Sequence, residues 1–441
     1  MRTGVFLLLL APVYAQNSIS LREAVDTALK KHPSMEASAA RIDAAGAGIV
    51  AAGAGKLPRI DYTESWQRSN NPVFVFSSRL TQHQFGLENF QIGPLNRPGA
   101  LDNFQSQIVV SQPIYDGGLA RAEVRSATAG MDLAREQGRA VGMSLTAGVV
   151  RSYFGMLLAD AELKAAQQAV KSAESDQQRA ESIRAAGMST DADVLSIRVH
   201  LAAMRQQEIA RKYDAEVALS QLNELLGAPL DTPRQLTTPL EKVATGENGD
   251  SEKTAVAERP EIREARLRVQ SAGEQVAAAR ASYLPRISAR FAFEADRQRF
   301  VNRGGANWLI GASLEWNLFS GLSNQAHKAE AEQSVRAAKA EAQQTDAAVR
   351  VAVRRAEADL KSANEQLSVA EAAIAMADES LRITKNRYES GLTTVTELLR
   401  NETALLDART RQLGAVANQR VAAANLELAT GTLSGDSNVL K

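Results

Sequence analysis

A heptad pattern in the C-terminal half is the feature that most limits what this chain can fold into. Its small and apolar positions alternate in steps of three and four: Val349, Val353, Ala356, Leu360, Ala363, Leu367, Ala370, Ile374, Ala377, Leu381, Thr384 and Tyr388. This spacing is typical of helices that pack along a coiled-coil seam. A helix from Leu322 to Tyr388 would be on the order of 100 Å long at about 1.5 Å per residue, which exceeds the width of a globular domain.

The same plan occurs twice along the chain. Subtracting 204 from the positions Val353 to Tyr388 gives a second run from Val149 to Arg184, in the same phase, with polar residues near its end. Three other pairs of landmarks share the offset of 204: Gly187 with Gly391, Gly227 with Gly431, and Ile114-Tyr115-Asp116-Gly117 with Leu318-Phe319-Ser320-Gly321. Two earlier pairs have an offset of 227: His32-Pro33 with Arg259-Pro260, and Leu57-Pro58-Arg59 with Leu284-Pro285-Arg286. The first copy is therefore 23 residues longer, between the Leu-Pro-Arg and aromatic-x-Gly landmarks. We expect the excess between Ser69 and Asn103, where turn-forming residues are frequent.

Alternating residues between those landmarks predict one hairpin of strands in each copy. The apolar positions of the second copy are Ile287, Ala289, Phe291, Phe293, Trp308, Ile310, Ala312, Leu314, Trp316 and Leu318, and those of the less regular first copy are Ile60, Tyr62, Trp66, Phe104, Ile108 and Val110. Strands of about ten residues can cross a bilayer when tilted. A sheet lying on a soluble core would show the same alternation.

Four strands cannot close a barrel, and an open sheet edge is not stable in lipid. A membrane-spanning form must therefore pool hairpins from several chains. Two chains would give eight strands and a filled interior, whereas three would give twelve strands and room for a channel.

The pattern predicts two tandem repeats, each with a β-hairpin and long coiled-coil helices. The first repeat is placed at 16–227, with a hairpin at about 59–115 and helices at about 119–186 and 190–226. The second is placed at 258–431, with a hairpin at about 286–319 and helices at about 322–390 and 394–430. Residues 228–257, which contain three prolines, are expected to form a linker or equatorial segment, and 432–441 a C-terminal tail.

The N-terminus indicates export from the cytoplasm. Residues 1–15 combine Arg2, an apolar stretch and a small residue at Ala15, as in a cleaved secretory signal. With no cysteine near the cleavage point, a lipoprotein anchor is not expected.

Composition limits the possible functions. Lys and Arg number 51 against 51 acids, so no net charge draws the chain to nucleic acid. Cysteine is absent and only four histidines are present, which disfavours thiol chemistry and most transition-metal sites. We expect no cofactor, no metal and no enzymatic activity.

The chain resembles the TolC-like outer-membrane efflux proteins. The resemblance covers nearly all of the chain after residue 15 and rests on motif order and spacing: Leu21-x-x-Ala24, Ala28-Leu29, His32-Pro33, Leu57-Pro58, Gln112-Pro113-Ile114-Tyr115-Asp116-Gly117-Gly118, Arg387-Tyr388-x-x-Gly391 and Thr394-x-x-Glu397-Leu398-Leu399. It implies a homotrimer with a twelve-stranded barrel in outer-membrane lipid and an α-helical tunnel in the periplasm. It also implies docking to a periplasmic adaptor (membrane fusion) protein and an inner-membrane pump. The protein would be the passive exit duct of a tripartite efflux or type I secretion system.

Within this resemblance, Gly187 and Gly391 would form the helix-to-helix turns at the periplasmic tip. Glycine suits a chain that leaves a helix through a left-handed conformation. Thr190-x-x-Asp193 and Thr394-x-x-Glu397 would be capping boxes that start the return helices. Met188 and Leu392, which follow the glycines, are candidate adaptor contacts.

The resemblance also indicates a gate. The family's acidic ring and tyrosine correspond to Glu397, Arg400 and Tyr388, with Asp193 as the first-repeat counterpart of Glu397. Arg400 reverses the second acidic charge, so Glu397 and Arg400 could pair instead of forming an anionic ring. Glu397 could also act only as a cap, and Tyr388 could be a packing residue of the seam.

The alternative is an interaction protein, a soluble periplasmic coiled-coil adaptor or scaffold. It would explain the seams but not the two pairs of aromatic strands. The sequence leaves open the exported compound and the class of pump.

Overall fold

The computed structural model describes residues 18–187, 189–243, 250–301 and 304–440. The predicted signal peptide and Met188 lie outside the described residues. The chain forms two compact units. A helical unit contains Met1–Arg41, Arg135–Glu264 and Ala342–Lys441, and a strand unit contains Ile42–Ala134 and Ala265–Glu341.

Ten α-helices and six strands are defined in the described part of the chain. The helices are α1 (Leu21–Lys31), α2 (Pro33–Gly53), α3 (Pro72–Thr81), α4 (Ile92–Asn96), α5 (Leu119–Ala185), α6 (Asp191–Leu225), α7 (Ser251–Glu258), α8 (Pro260–Ala281), α9 (Ser323–Glu389) and α10 (Val395–Thr430). The strands are β1 (Ser18–Ile19), β2 (Arg59–Ser69), β3 (Leu101–Tyr115), β4 (Gln235–Leu236), β5 (Arg286–Arg297) and β6 (Gly305–Glu315).

The heptad seams are buried in the helical unit. Val353 and Val149, at matching positions of α9 and α5, are fully buried in one core that also contains Tyr153 and Phe154. Helix α5 is apolar enough by length and composition to cross a membrane, but half of its apolar window is buried inside the fold. The prediction of two repeats with long coiled-coil helices is confirmed.

The segment at 228–257, predicted as a linker or equatorial segment, contains secondary structure. Its end forms α7, whose first turn is capped by the Asp250 side chain accepting from the Lys253 amide. Strand β4 pairs in parallel with β1. The Tyr153 hydroxyl donates to the Ile19 carbonyl at 2.9 Å and accepts from the Thr238 amide at 3.0 Å. The segment is therefore held against α5 by the Tyr153 side chain, a contact that apolar periodicity does not reveal.

The strand unit contains one antiparallel sheet in the order β2-β3-β5-β6. Its register aligns the predicted apolar positions in rows across the strands, such as Tyr62–Ile108–Phe293–Trp308. These side chains remain exposed in the single chain, with Trp308 at 70%. Strands β2 and β6 have no partner on their outer edges among the described residues. The sheet thus has an aromatic face and two open edges.

The two hairpins differ in their connections. Residues 70–100 join β2 to β3 and contain α3 and α4, whereas only residues 298–304 join β5 to β6. The longer connection lies in the first copy, within the range 69–103.

Candidate functional site at the helix-to-helix turns

The two tip glycines end the long helices in the same left-handed conformation. Gly187 follows α5 with φ of +73° and Gly391 follows α9 with φ of +71°. The Gly187 amide donates to the Arg184 carbonyl at 2.8 Å, and the Gly391 amide to the Tyr388 carbonyl at 3.0 Å. An added Cβ at either glycine would meet nothing within 4 Å. Glycine is required here by backbone conformation and not by crowding.

The return helices begin differently in the two repeats. At α6, the Thr190 hydroxyl accepts from the Asp193 amide at 3.2 Å while the Asp193 carboxylate accepts from the Thr190 amide at 3.1 Å, a complete capping box. At α10, the Thr394 hydroxyl accepts from the Glu397 amide at 3.4 Å. Within the described residues, the Thr394 amide does not donate a hydrogen bond to the Glu397 carboxylate. The prediction of a second reciprocal box is therefore wrong, and the Glu397 side chain has another partner.

That partner is Arg400, one turn along the same helix. Arg400 donates to Glu397 Oε1 at 3.2 Å, and the two side chains are 72% and 47% exposed. An exposed pair of this kind contributes about 0.3–0.5 kcal/mol. The two candidate gate residues are thus brought together within one chain, where they neutralise each other's charge.

Tyr388 and Asp193 also lie close to each other. Tyr388 packs on Ala180, Val194, Ile197 and Val395. Burial, followed by the charge of Asp193, raises the pKa of the Tyr388 phenol. Hydrogen bonds from Thr190 lower the pKa of Asp193, so its carboxylate is held by the cap.

The exposed part of each turn carries the candidate contact residues. Leu392 is 68% exposed, directly after Gly391, and the Leu392 amide donates to the Arg387 carbonyl at 2.8 Å. Met188, its equivalent in the first repeat, lies outside the described residues.

The sequence analysis missed a group of ionisable residues buried between the helices. The side chains of Asp176 on α5, His200 on α6 and Glu402 on α10 are 3%, 12% and 11% exposed. His200 Nε2 lies 3.6 Å from Glu402 Oε2. Asp176 Oδ1 accepts from Arg179 at 3.3 Å.

The protonation of this cluster follows from its surroundings. Burial, and then the hydrogen bond and charge of Asp176, raise the pKa of Glu402 to about 8. Burial also lowers the pKa of His200. At neutral pH the cluster thus contains a protonated Glu402 and a neutral His200, since two buried carboxylates in contact cannot both be ionised.

Repeat symmetry could have revealed these residues. At an offset of 204, Asp176, His200 and Glu402 correspond to Ser380, Ala404 and Arg198. Asp176 and Glu402 each lie three residues after a seam position, and neither acid is repeated in the other copy. This break in the repeat was a signal in the sequence. Among the described residues, no group of three His, Asp or Glu is placed to hold a metal ion.

Comparison with known proteins gives matches that cover both repeats of the chain. A sequence model of the outer membrane efflux protein family matches residues 24–228 and 253–432. The chain is 28% identical to Protein CyaE of Bordetella pertussis, over 96% of this chain and 88% of that protein. It is 24% identical to the pyoverdine export outer membrane protein OpmQ of Pseudomonas aeruginosa, over 87% of this chain and 78% of that protein.

Solved structures show the same fold. The crystal structure of CusC aligns with a TM-score of 0.80 at 21% identity, covering 93% of this chain and 92% of that one.

Proposed function

We propose a trimeric duct for this chain, which belongs to the outer membrane efflux protein family. Three copies form one passive duct, and its periplasmic end is built from six helix-to-helix turns. The protein is an outer-membrane efflux channel of tripartite efflux and type I secretion systems, with its helical domain in the periplasm. It is not an enzyme, and members of its family form homotrimers that work with efflux pumps. The alternative of a soluble adaptor is therefore discarded.

The open sheet supports the trimer. One chain exposes an aromatic face and leaves the outer edges of β2 and β6 unpaired. Pairing β2 of one copy with β6 of the next satisfies both edges, and three copies close a barrel of twelve strands with its aromatic face toward lipid.

The exposed turns support adaptor binding at the tip. Leu392 is a large apolar side chain held in solvent by a hydrogen-bonded turn, which is the property of an anchor for a partner. Each chain would contribute two such turns, Gly187 with Met188 and Gly391 with Leu392, so the trimer would present six. The adaptor would then connect the duct to an inner-membrane pump.

The charge arrangement supports a neutralised gate. Glu397 lies on the first turn of α10 and Arg400 on the second, next to the tip. Their pairing within each chain would give the constriction three compensated charge pairs. Tyr388 would serve mainly as a packing residue, since it contacts the cluster formed by α5 and α6.

The trimer and the adaptor surface can be tested together. Chemical cross-linking of the outer-membrane fraction in mild detergent should trap three chains, and a stable monomeric membrane form would contradict the architecture. Leu392→Asp should reduce co-purification of the adaptor, while Leu392→Met, the matched control, should retain it. If Leu392→Asp trimers bind the adaptor like wild type, the adaptor docks elsewhere.

A further inference from the structure

The connection between β2 and β3, residues 70–100, is here called the mouth loop, and it folds back on the sheet. The buried Gln82 side chain donates to the Asn103 side-chain oxygen at 2.8 Å and to the Asp102 carbonyl at 3.0 Å. Asn103 in turn donates to Asp296 Oδ1 on β5 at 2.6 Å. A chain of polar contacts thus ties the loop to two strands.

A close backbone approach fixes the loop to a third strand. A Cβ added at Gly305, the first residue of β6, would lie 1.9 Å from the Thr81 carbonyl oxygen and 2.8 Å from the His83 ring. Asn307 donates to the same Thr81 carbonyl at 3.3 Å. Only glycine at 305 permits this packing, whereas at Gly311 on the same strand an added Cβ would meet nothing within 4 Å.

The strand register identifies the face that the loop covers. Asn103 and Asn307 alternate with Phe104 and Trp308 along their strands, so they point to the side opposite the aromatic rows. In a barrel whose aromatic face contacts lipid, this opposite side lines the lumen. The mouth loop therefore lies inside the barrel, at the strand ends away from the long helices, which is the extracellular end.

The loop is a structured body. Asn71 caps α3, with Pro72 at its first position. Phe85 stacks edge-on against Phe76 and Phe90, with ring centroids 4.7 and 5.0 Å apart. Other large apolar side chains, including Leu87 and Ile92, remain exposed in the single chain.

The size of the lumen makes this position consequential. Twelve strands about 4.8 Å apart and tilted by roughly 40° enclose a barrel about 24 Å across between backbones. A helix with its side chains is about 10 Å wide, so three copies of α3 would take up roughly half of that cross-section.

We propose that the three mouth loops constrict the extracellular end of the duct and pack on one another through their exposed apolar residues. This inference rests on the trimeric barrel proposed above. The partner of each loop is the loop of a second copy, because the loop continues from β2, the edge strand that joins the neighbouring chain. The duct then has a second constriction, separate from the periplasmic tip.

Cysteine labelling tests the constriction, because the native chain has no cysteine. Gln107→Cys places a thiol on the lumen face of β3, one residue from Ile108 on the lipid face. Intact cells are treated from outside with a small charged maleimide or with one carrying a bulky polymer. We expect the small reagent to react much faster than the bulky one.

Gly305→Ala should displace the loop and raise the rate for the bulky reagent severalfold, while Gly311→Ala, the matched control, should leave it unchanged. If Gly305→Ala lowers the amount of trimer, Gln82→Ala combined with Asn307→Ala releases the loop without a clash and should have the same effect. Equal rates for the two reagents with the native loop would overturn the constriction. Failure of both reagents in every variant, including the released ones, would instead contradict the open barrel lumen itself.

Discussion

Replacing each of the four helix-ending glycines by alanine should separate the free-energy cost of backbone strain from that of steric crowding. Gly187 and Gly391 follow the long helices α5 and α9, and Gly227 and Gly431 follow the return helices α6 and α10. The φ angle lies between +63° and +79° at all four. At the two tip glycines, only the left-handed conformation opposes a Cβ. We therefore expect a cost of about 1 kcal/mol at each tip.

The return-helix glycines add a steric cost. A Cβ at Gly431 would lie 2.8 Å from the Arg259 amide nitrogen and 2.9 Å from its Cα, and a Cβ at Gly227 would lie 3.0 Å from the Lys31 carbonyl oxygen. Backbone neighbours of this kind cannot rotate away. Adding an overpacking cost of about 2 kcal/mol gives about 3 kcal/mol for Gly431→Ala, with Gly227→Ala between the two classes.

Hydrogen–deuterium exchange of the intact trimer, read by mass spectrometry, measures these local costs. Protection of the peptide spanning the substitution should fall roughly fivefold for Gly391→Ala and on the order of a hundredfold for Gly431→Ala, because 1.4 kcal/mol corresponds to a factor of ten. Equal losses at the two sites would refute the reasoning, since the tip turn would then be as crowded as the core. No loss at any of the four would show that the left-handed caps are not needed.

Three further outcomes are expected. Because the pKa of Glu402 is raised from 4.5 to about 8, its stabilising effect is fully present below pH 4.5 and is lost as the pH rises through about 8. This loss of unfolding free energy should be on the order of 2 kcal/mol after discounting for partial solvent access. Unfolding curves measured across this pH range should show the loss in the wild type and in Glu397→Gln, but not in Glu402→Gln. Arg400→Asp should raise cation selectivity in planar-bilayer recordings and Glu397→Gln should lower it; unchanged selectivity in both would show that this pair does not line the conducting path. Thermal dissociation of detergent trimers should shift upward with protein concentration, and a transition independent of concentration would contradict assembly through pooled strands.

Sequence alone predicted the elements whose signal is local and repeated. The heptad seam identified α5 and α9, and alternation identified β5 and β6, since both patterns extend over several turns or residue pairs. Helices α2 and α8 were not assigned, although each begins at the proline of His32-Pro33 or Arg259-Pro260, where a first-turn proline could have signalled a start.

The missed parts depend on contacts between distant segments. The Asp176, His200 and Glu402 cluster joins three helices, and no spacing within one helix reveals that its members meet. The second capping box is incomplete and Glu397 accepts from Arg400 instead, an arrangement that depends on side-chain geometry. The position of Gly305 under Thr81 depends on two segments more than two hundred residues apart.

The two unpaired edges of the sheet have a consequence for how the protein is made. An exported chain carries four strands with an exposed aromatic face, and no strand in the described part of the chain pairs with the outer edges of β2 and β6. Barrel closure and subunit association are then one event, so the rate of maturation depends on how often newly exported chains meet. Until that event, each subunit presents the surface that drives aggregation of β-proteins. Cells that overproduce the chain faster than it trimerises should therefore require periplasmic holding chaperones in proportion to the unassembled pool.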